Sequence, residues 1–313
     1  MAGNASFDAL ISTTLKKYTP TLEDNIFSNV TLLYWLREAG HIEKISGGEQ
    51  IVEPLLYAVN GTTGSYAGYD NIPTAPQEGI SAAAYDWRQY AVSVAISGIE
   101  EAKNSGKEAV ISLLKAKIDQ AEMSAMDQMN VMFYADGTGN GSKDWLGLAA
   151  IVDPSPSTGT VGGIDASTET WWRNKQASEG GVLQLSTLSN MFNQCTKGKI
   201  KPEFCLTTQA VWEEYEALLQ PQLRYQSSKA ADAGFENLLY KSSPVMWDED
   251  CTTQSWYFLN SKFLKLKVHS DVWFKPSPFE KPHGQDARFS QILSYGNLVT
   301  NNRRFLGVIT GIT

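Results

Sequence analysis

Apolar positions in this chain alternate at period two in one segment and recur at three and four in the next. Glu49 to Tyr57 reads as a strand, and Tyr85 to Ile96 reads as its returning partner. Along the return, Tyr90, Val92, Val94 and Ile96 share one face, and Gln89, Ala91, Ser93 and Ala95 share the other. Between the two strands, Asn60 to Ile80 shows no apolar periodicity. It is rich in glycine (Gly61, Gly64, Gly68, Gly79) and carries Tyr66, Tyr69, Pro73 and Pro76. Ordinary hairpin loops run about two to five residues, and a long loop inside a compact domain signals function or disorder. A lone two-stranded arm is marginal in water. This one is therefore expected to rest on something outside its own domain, most simply a neighbouring subunit.

Helical spacing frames the hairpin. Before it, Leu22, Ile26, Val30, Leu33 and Leu36 predict a helix over Leu22 to Ala39, with Gly40 as its stop. After it, Ser97-Gly98-Ile99-Glu100 and Ser105-Gly106-Lys107-Glu108 both fit the S-x-x-E capping box. They predict a short helix, a reset at Asn104 to Gly106, and one long helix. Its apolar stripe is Val110, Leu114, Ile118, Ala121, Ala125, Met129 and Met132, ending near Tyr134. Such a helix would span roughly 43 Å at the usual rise per residue.

From Trp145 to about Lys275 the pattern changes to a separate α+β body. Helices are expected at Ser186 to Gln194 and Gln209 to Leu219. Strands are expected at Phe204 to Thr207, Asn237 to Tyr240, Val245 to Trp247, Trp256 to Leu259 and Phe263 to Val268. The polar stretch Gln220 to Gly234 reads as mobile. Two closing strands, near Gln291 to Thr300 and Phe305 to Ile312, flank a turn at Asn301-Asn302. No internal repeat is visible.

Composition narrows the classes. The chain has 313 residues, 42% hydrophobic and 11% aromatic, as in a folded globular protein. No apolar run approaches the roughly 20 residues of a membrane helix, and the first residues lack a secretory signal pattern. Cys195, Cys205 and Cys251 are read as free thiols. The net charge of −8 argues against sequence-reading contact with nucleic acid. Charge is uneven along the chain. Between Ser46 and Gly98 stand Glu49, Glu53, Asp70, Glu78 and Asp86 against Arg88 alone. From Lys262 onward eight bases face Asp271, Glu280 and Asp286. The two segments are either plainly solvated or complementary between subunits.

Catalytic signals are weak. Gly137 to Lys143 departs from the phosphate-loop pattern, because Ser142 stands where the second glycine belongs and Asp144 follows the lysine. It also follows a helix, so it reads as a capping loop. Asp248, Glu249 and Asp250 alternate faces on a strand end, which suits solvation better than a metal. His41, His269 and His283 are scattered, with no paired ligand spacing. The tryptophans suit packing better than a sugar cleft. The sequence argues for no catalytic residue, no cofactor and no metal, and the chain is expected not to be an enzyme.

The order of these parts resembles a tailed-phage major capsid protein of the HK97 fold. The stretches Gly47 to Leu55, Tyr90 to Val94 running into Ser97, Leu146 to Val152, and Ser243 to Asp248 look like one branch of that family. The resemblance implies an N-terminal arm (1–45), an extended E-loop (46–97), a peripheral domain with the spine helix (98–144), an axial domain (145–275), and a return with closing strands (276–313). It implies hexamers and pentamers in an icosahedral shell around double-stranded DNA, held without sequence preference. The virion, and the host cytoplasm during assembly, would be its places, and no membrane is involved. Portal, decoration and separate scaffolding proteins would be partners, the last because only about 45 residues precede the hairpin. Some relatives cross-link through an E-loop lysine, yet no lysine occurs between Lys44 and Lys103. Inter-subunit contacts are expected from Glu53, Tyr66, Tyr69, Asp70, Glu78 and Asp86 on the hairpin, meeting Lys281, Arg303 and Arg304. Two other classes share some features: an encapsulin-like nanocompartment shell with protein cargo, and a polysaccharide-active enzyme.

Overall fold

The computed structural model describes residues 30–72, 74–103, 107–219 and 238–313. The predicted reset at Asn104 to Gly106, the stretch Gln220 to Gly234, Pro73, the first turns of the Leu22 helix and the side chains of Val110 and Leu114 lie outside the described residues.

Helix α1 (Thr31–Glu38) buries Leu32, Leu33 and Leu36. It stops at Gly40, whose φ of +70° lets the chain reverse. His41 N–H then bonds Leu36 O at 2.9 Å and Gly40 N–H bonds Arg37 O at 3.0 Å, the paired reach-back of a Schellman motif. Strand β1 (Ile42–Ile45) follows, then β2 (Ile51–Leu56) and β3 (Ile80–Tyr85), an antiparallel pair in register Ile51 to Tyr85 and Leu56 to Ile80. Strand β4 (Arg88–Ser97) begins after two intervening residues, Asp86 and Trp87.

This corrects the expected hairpin. Its return strand is Ile80–Tyr85, not the segment from Tyr85 to Ile96. Ile-Ser-Ala-Ala-Ala-Tyr carries small side chains of low strand propensity, and its pattern is faint for that reason. The alternation expected for β4 is observed, with Val94 and Ile96 buried and Gln89, Ala91, Ser93 and Ala95 exposed.

Helix α2 (Gly98–Lys103) opens on the predicted capping box. Ser97 N–H donates to Glu100 Oε2 at 3.0 Å and Glu100 N–H donates to Ser97 Oγ at 3.3 Å. Lys117 then reaches Glu100 at 3.1 Å, tying α2 to the spine helix α3 (Lys107–Tyr134). On α3, Ile118, Ala121, Ala125, Met129 and Met132 are buried as the stripe requires. The glycine-rich segment after it is a left-handed turn, with positive φ at Asn140, Gly141 and Ser142.

Beyond lie α4 (Leu148–Ile151), the small ribbon β5 (Thr160–Val161) and β6 (Ile164–Asp165), and β7 (Lys175–Gly181). Next come α5 (Leu185–Gln194), β8 (Phe204–Thr207), α6 (Gln209–Leu219), β9 (Leu238–Tyr240), β10 (Ser243–Trp247) and β11 (Trp256–Leu259). The chain closes with β12 (Leu264–His269), β13 (Lys275–Pro276), β14 (Ala287–Thr300) and β15 (Gly307–Ile312).

Two main sheets result. One runs β1-β12-β14-β13, with β4 also paired to β14; the other runs β7-β15-β11-β8-β10-β9. The closing strands therefore part company, β14 to the first sheet and β15 to the second. Strand β12 likewise lies inside the span expected for an axial domain but pairs with β1 and β14. The boundary drawn at residue 275 does not follow the sheets, because a strand's sheet is set by its non-local partners. Met129, Met132 and Phe133 of α3, Leu33 and Leu36 of α1, Phe204 and Tyr257 of the second sheet, and Leu266 and Leu298 of the first share one core.

Candidate assembly interface

The β2–β3 arm has a docked root and an uncovered tip. At the root, Ile51, Leu55, Ala83 and Tyr85 pack on Val161, Trp172 and Val299. Tyr85 Oη donates to Thr300 O at 2.7 Å and accepts from Thr300 N–H at 3.3 Å. Burial pushes the Tyr85 phenol well above its ordinary value, so it remains a donor at any physiological pH. The β5–β6 ribbon clasps the arm from the side, Ala84 N–H bonding Gly162 O at 2.9 Å. A Cβ at Gly162 would stand 2.8 Å from Ala83 Cβ and 2.9 Å from Tyr85 Cζ; only glycine permits that approach. Tyr57 stacks on Trp171 with ring centroids 4.7 Å apart.

An ion-pair network anchors the same root. Glu53, 3% exposed, pairs with Lys267 of β12. Lys267 also reaches Glu43 of β1 at 3.3 Å, and Glu43 takes Lys265 at 2.7 Å. Partial burial alone would raise the Glu43 carboxyl, but hydrogen bonds and charge from Lys265 and Lys267 bring it below its ordinary value. Burial alone would lower the Lys267 ammonium, while Glu53 and Glu43 together raise it.

Apart from the Tyr57–Trp171 stack, the apolar side chains from Leu56 onward stand in solvent. Leu56 is 76% exposed and Val59 89% exposed, and Tyr66, Tyr69, Ile72 and Ile80 are exposed with them. Local bonds nevertheless shape the tip: Thr62 N–H donates to Asn60 Oδ1 at 2.9 Å and Gly61 N–H to Gln77 Oε1 at 3.1 Å. Clustered apolar side chains left in water mark an interaction surface.

The expected contact residues divide accordingly. Tyr66, Tyr69, Asp70 and Glu78 sit exposed on the tip, with Asp70 Oδ2 capping the Ala67 N–H at 2.8 Å. Asp86 is exposed near the root and accepts from Gln50 Nε2 at 2.8 Å. Lys281 already pairs with Asp286 at 2.7 Å, both exposed. Two expectations need correction. Glu53 is spent inside the subunit on Lys267. Arg303 is fully buried, with Nε on Ile151 O at 2.7 Å and Nη2 on Asn174 Oδ1 at 3.0 Å. Both satisfy buried partners of their own chain and are withdrawn as contact candidates.

Arg304, half-buried, faces instead into a cleft beside the arm root, of about 340 Å³. Arg173, Lys175 and Lys197 line it too, and Trp171 and Tyr57 form part of its wall. Sequence reasoning missed these three bases. The run of bases among Arg173, Lys175, Lys197, Lys199 and Lys201 was the available signal.

Among the described residues, no group of three or more His, Cys, Asp or Glu side chains is placed to hold a metal, and no helix is long and apolar enough to cross a membrane. All three cysteines are buried and free. Burial pushes the Cys195 thiol up to about 12 and raises the other two further.

No family model and no curated protein matches the chain in sequence. Solved structures do match in fold. The chain is similar to a subunit of the cyanophage A-1(L) capsid asymmetric unit, at TM-score 0.67 and 17% identity over 88% of this chain and 90% of that one. It is similar to the holo-SrpI encapsulin of Synechococcus elongatus PCC 7942, at TM-score 0.57 and 10% identity over 89% and 87%. The capsid of Myoviridae phage XM1 gives TM-score 0.55 and 9% identity over 88% and 91%. The chain thus has the α+β HK97-like capsid fold.

Proposed function

We propose that this chain is the major capsid protein of a tailed phage, the self-assembling subunit of an icosahedral shell around double-stranded DNA. The observation that carries the reading is the arm, rooted firmly on its own subunit while its apolar tip stays bare. A lone subunit gains nothing from keeping Leu56, Val59, Tyr66 and Tyr69 in water, whereas a shell buries them at each repeated contact. An acidic subunit also suits the role, since tight phosphate neutralisation would slow packing and ejection of DNA. Hexamers and pentamers, a scaffolding protein, a portal, decoration proteins, the virion and the host cytoplasm belong to this reading as proposals. So do an E-loop over residues 46–97, a peripheral domain around the spine helix and an axial domain around the second sheet, and the absence of enzymatic activity.

Electron microscopy of the purified protein tests the reading. Closed particles tens of nanometres across are the expected result, and a monodisperse monomer at high concentration overturns it. The similarity to an encapsulin favours a second reading, a nanocompartment shell around protein cargo. Nuclease-protected DNA within particles from infected cells selects the phage shell; a packaged protein selects the compartment.

A further inference from the structure

We infer that the basic cleft at the arm root is a binding site for a small polyvalent phosphate, of the inorganic tripolyphosphate or nucleoside triphosphate class. Arg173, Lys175, Lys197 and Arg304 bring four cations to one cleft whose lining includes no carboxylate. Among the described residues none of the four forms an ion pair. Glu169, close by in sequence, accepts from Trp171 Nε1 instead. Like charges gathered without a counter-ion repel one another. Arg173 gives Nε to Ala166 O at 2.7 Å and Nη2 to Ser167 O at 2.9 Å, so its charge is oriented but not neutralised. Arg304 Nη1 is buried without a hydrogen-bond partner. A desolvated guanidinium donor left open is unfavourable until an acceptor arrives.

The donors select the ligand. Guanidinium forks bind phosphate oxygens in pairs, and lysine ammonium groups serve the same anion as point charges. A lone carboxylate would offset one cation of the four, whereas a tri- or tetra-anion offsets most of them. The cleft, about 340 Å³, lies at the small end of ligand pockets, which suits a compact anion. Separate segments supply its walls: the arm root at Tyr57, the turn Thr170–Trp172 leading to Arg173, the turn at Lys197, and the turn Arg303–Phe305. An anion held among them would tie these segments together. Tyr57 already stacks on Trp171, so the tie would stiffen the root of the arm. The site is complete within one subunit and needs no neighbour.

Calorimetric titration of the soluble full-length chain with sodium tripolyphosphate, at low ionic strength where screening is weakest, tests this. One saturable site per chain is expected, with ATP competing for it and sulfate, which carries less charge, binding about tenfold more weakly or worse. Lys197 is exposed, so Lys197→Gln should leave the subunit folded, as circular dichroism would verify, and should weaken binding about tenfold. Arg304→Lys keeps the charge but loses the fork, and a loss of about tenfold is expected there too. At a large excess of tripolyphosphate the parent chain should melt a few degrees higher. Absence of saturable binding overturns the inference. So does binding that both variants leave unchanged, or sulfate that binds as tightly, since either would mark charge screening alone. A short DNA duplex that displaces tripolyphosphate at equal phosphate concentration would assign the cleft to a nucleic-acid backbone and overturn it as well. No arm of the test reads particle formation, so the shell reading stands or falls separately.

Discussion

Tyr85 and Thr300 are bonded twice, the phenol donating to the Thr300 carbonyl at 2.7 Å and accepting from its amide at 3.3 Å. The pair joins the last residue of β3 to the last residue of β14, so the arm's direction is fixed by a strand of the first sheet. Tyr85→Phe removes the hydroxyl and leaves two buried backbone groups of Thr300 short of a partner. A loss of about 1–3 kcal/mol is expected. Chemical denaturation should show it, and hydrogen exchange in Ile51–Leu56 and Ile80–Tyr85 should rise more than in β14.

Lys267→Met should be more damaging. It strands the Glu53 carboxylate in a site where that residue is 3% exposed, and breaking one side of a buried pair costs about 3–5 kcal/mol. Glu53→Leu combined with Lys267→Met should recover much of the loss, since apolar replacement of a whole buried pair is close to neutral. A combined variant as unstable as the single one would show that packing, not charge, sets the site.

The same network predicts a pH window. Glu43 sits below its ordinary value of 4.5 in the folded chain, so its contribution is present above 4.5 and lost as pH falls through the lower folded value. Lys267 sits above its ordinary 10.5, so its contribution is full below 10.5 and lost as pH rises through the higher folded value. Between these limits the contribution of these two groups should be flat with pH. Acid titration followed by hydrogen exchange should show β2 loosening at the acid edge, and Lys265→Met should move that edge upward.

Spine-helix substitutions should separate by face. Ala125 is fully buried in the shared core, whereas Met123 is 63% exposed two residues earlier. Ala125→Asp buries an unpaired charge and should cost about 4 kcal/mol or more, giving insoluble protein. Met123→Asp should stay within about 0.5 kcal/mol of the parent. Thermal melts of the two variants, together with Ala121→Asp as a second buried case, check the assignment.

The tip should matter for assembly and not for folding. Replacing residues 60–77 by a two-residue turn keeps β2, β3 and the Tyr57 N–H to Gly79 O bond of 3.0 Å. The shortened subunit should melt within a degree or two of the parent, because the tip contributes little buried surface. It should form no regular particles. Boiled in detergent, particles of the parent chain should run as a single band near 34.5 kDa, since the arm offers no lysine for a cross-link and the three thiols are buried.

Local signals in the sequence were faithful where the structure is local. The Ser97–Glu100 box, the stripe on α3 from Ile118 to Met132 and the span of α6 follow from neighbours within a few residues, and they appear in the structure as spacing requires. Pairing was harder to read. Strand β3 hid behind three alanines, β1 is only four residues long, and nothing in β12 or β15 says which sheet will accept it. The candidate interface was half legible. Exposed aromatics and acids marked the tip, but Glu53 and Arg303 looked like surface charges because their buried partners, Lys267 and Asn174, lie far off in sequence. The bases that gather around Arg304 are likewise assembled by the meeting of β7, the turn near Lys197 and the residues before β15.

Strand β4 leaves the arm after only Asp86 and Trp87 and pairs with β14 along ten consecutive residue positions, Arg88 to Gly296 through Ser97 to Ala287. A pull on the tip is thereby delivered lengthwise along a long antiparallel ladder. Loaded in that direction, the ladder cannot open one rung at a time from an end; its hydrogen bonds share the tension and must yield together. The capping box at Ser97 and the Lys117 to Glu100 tie pass the remaining load into the spine helix. The arm is therefore built as a mechanical strap, stiff to a pull along β4 and yielding only to a peeling force applied across it.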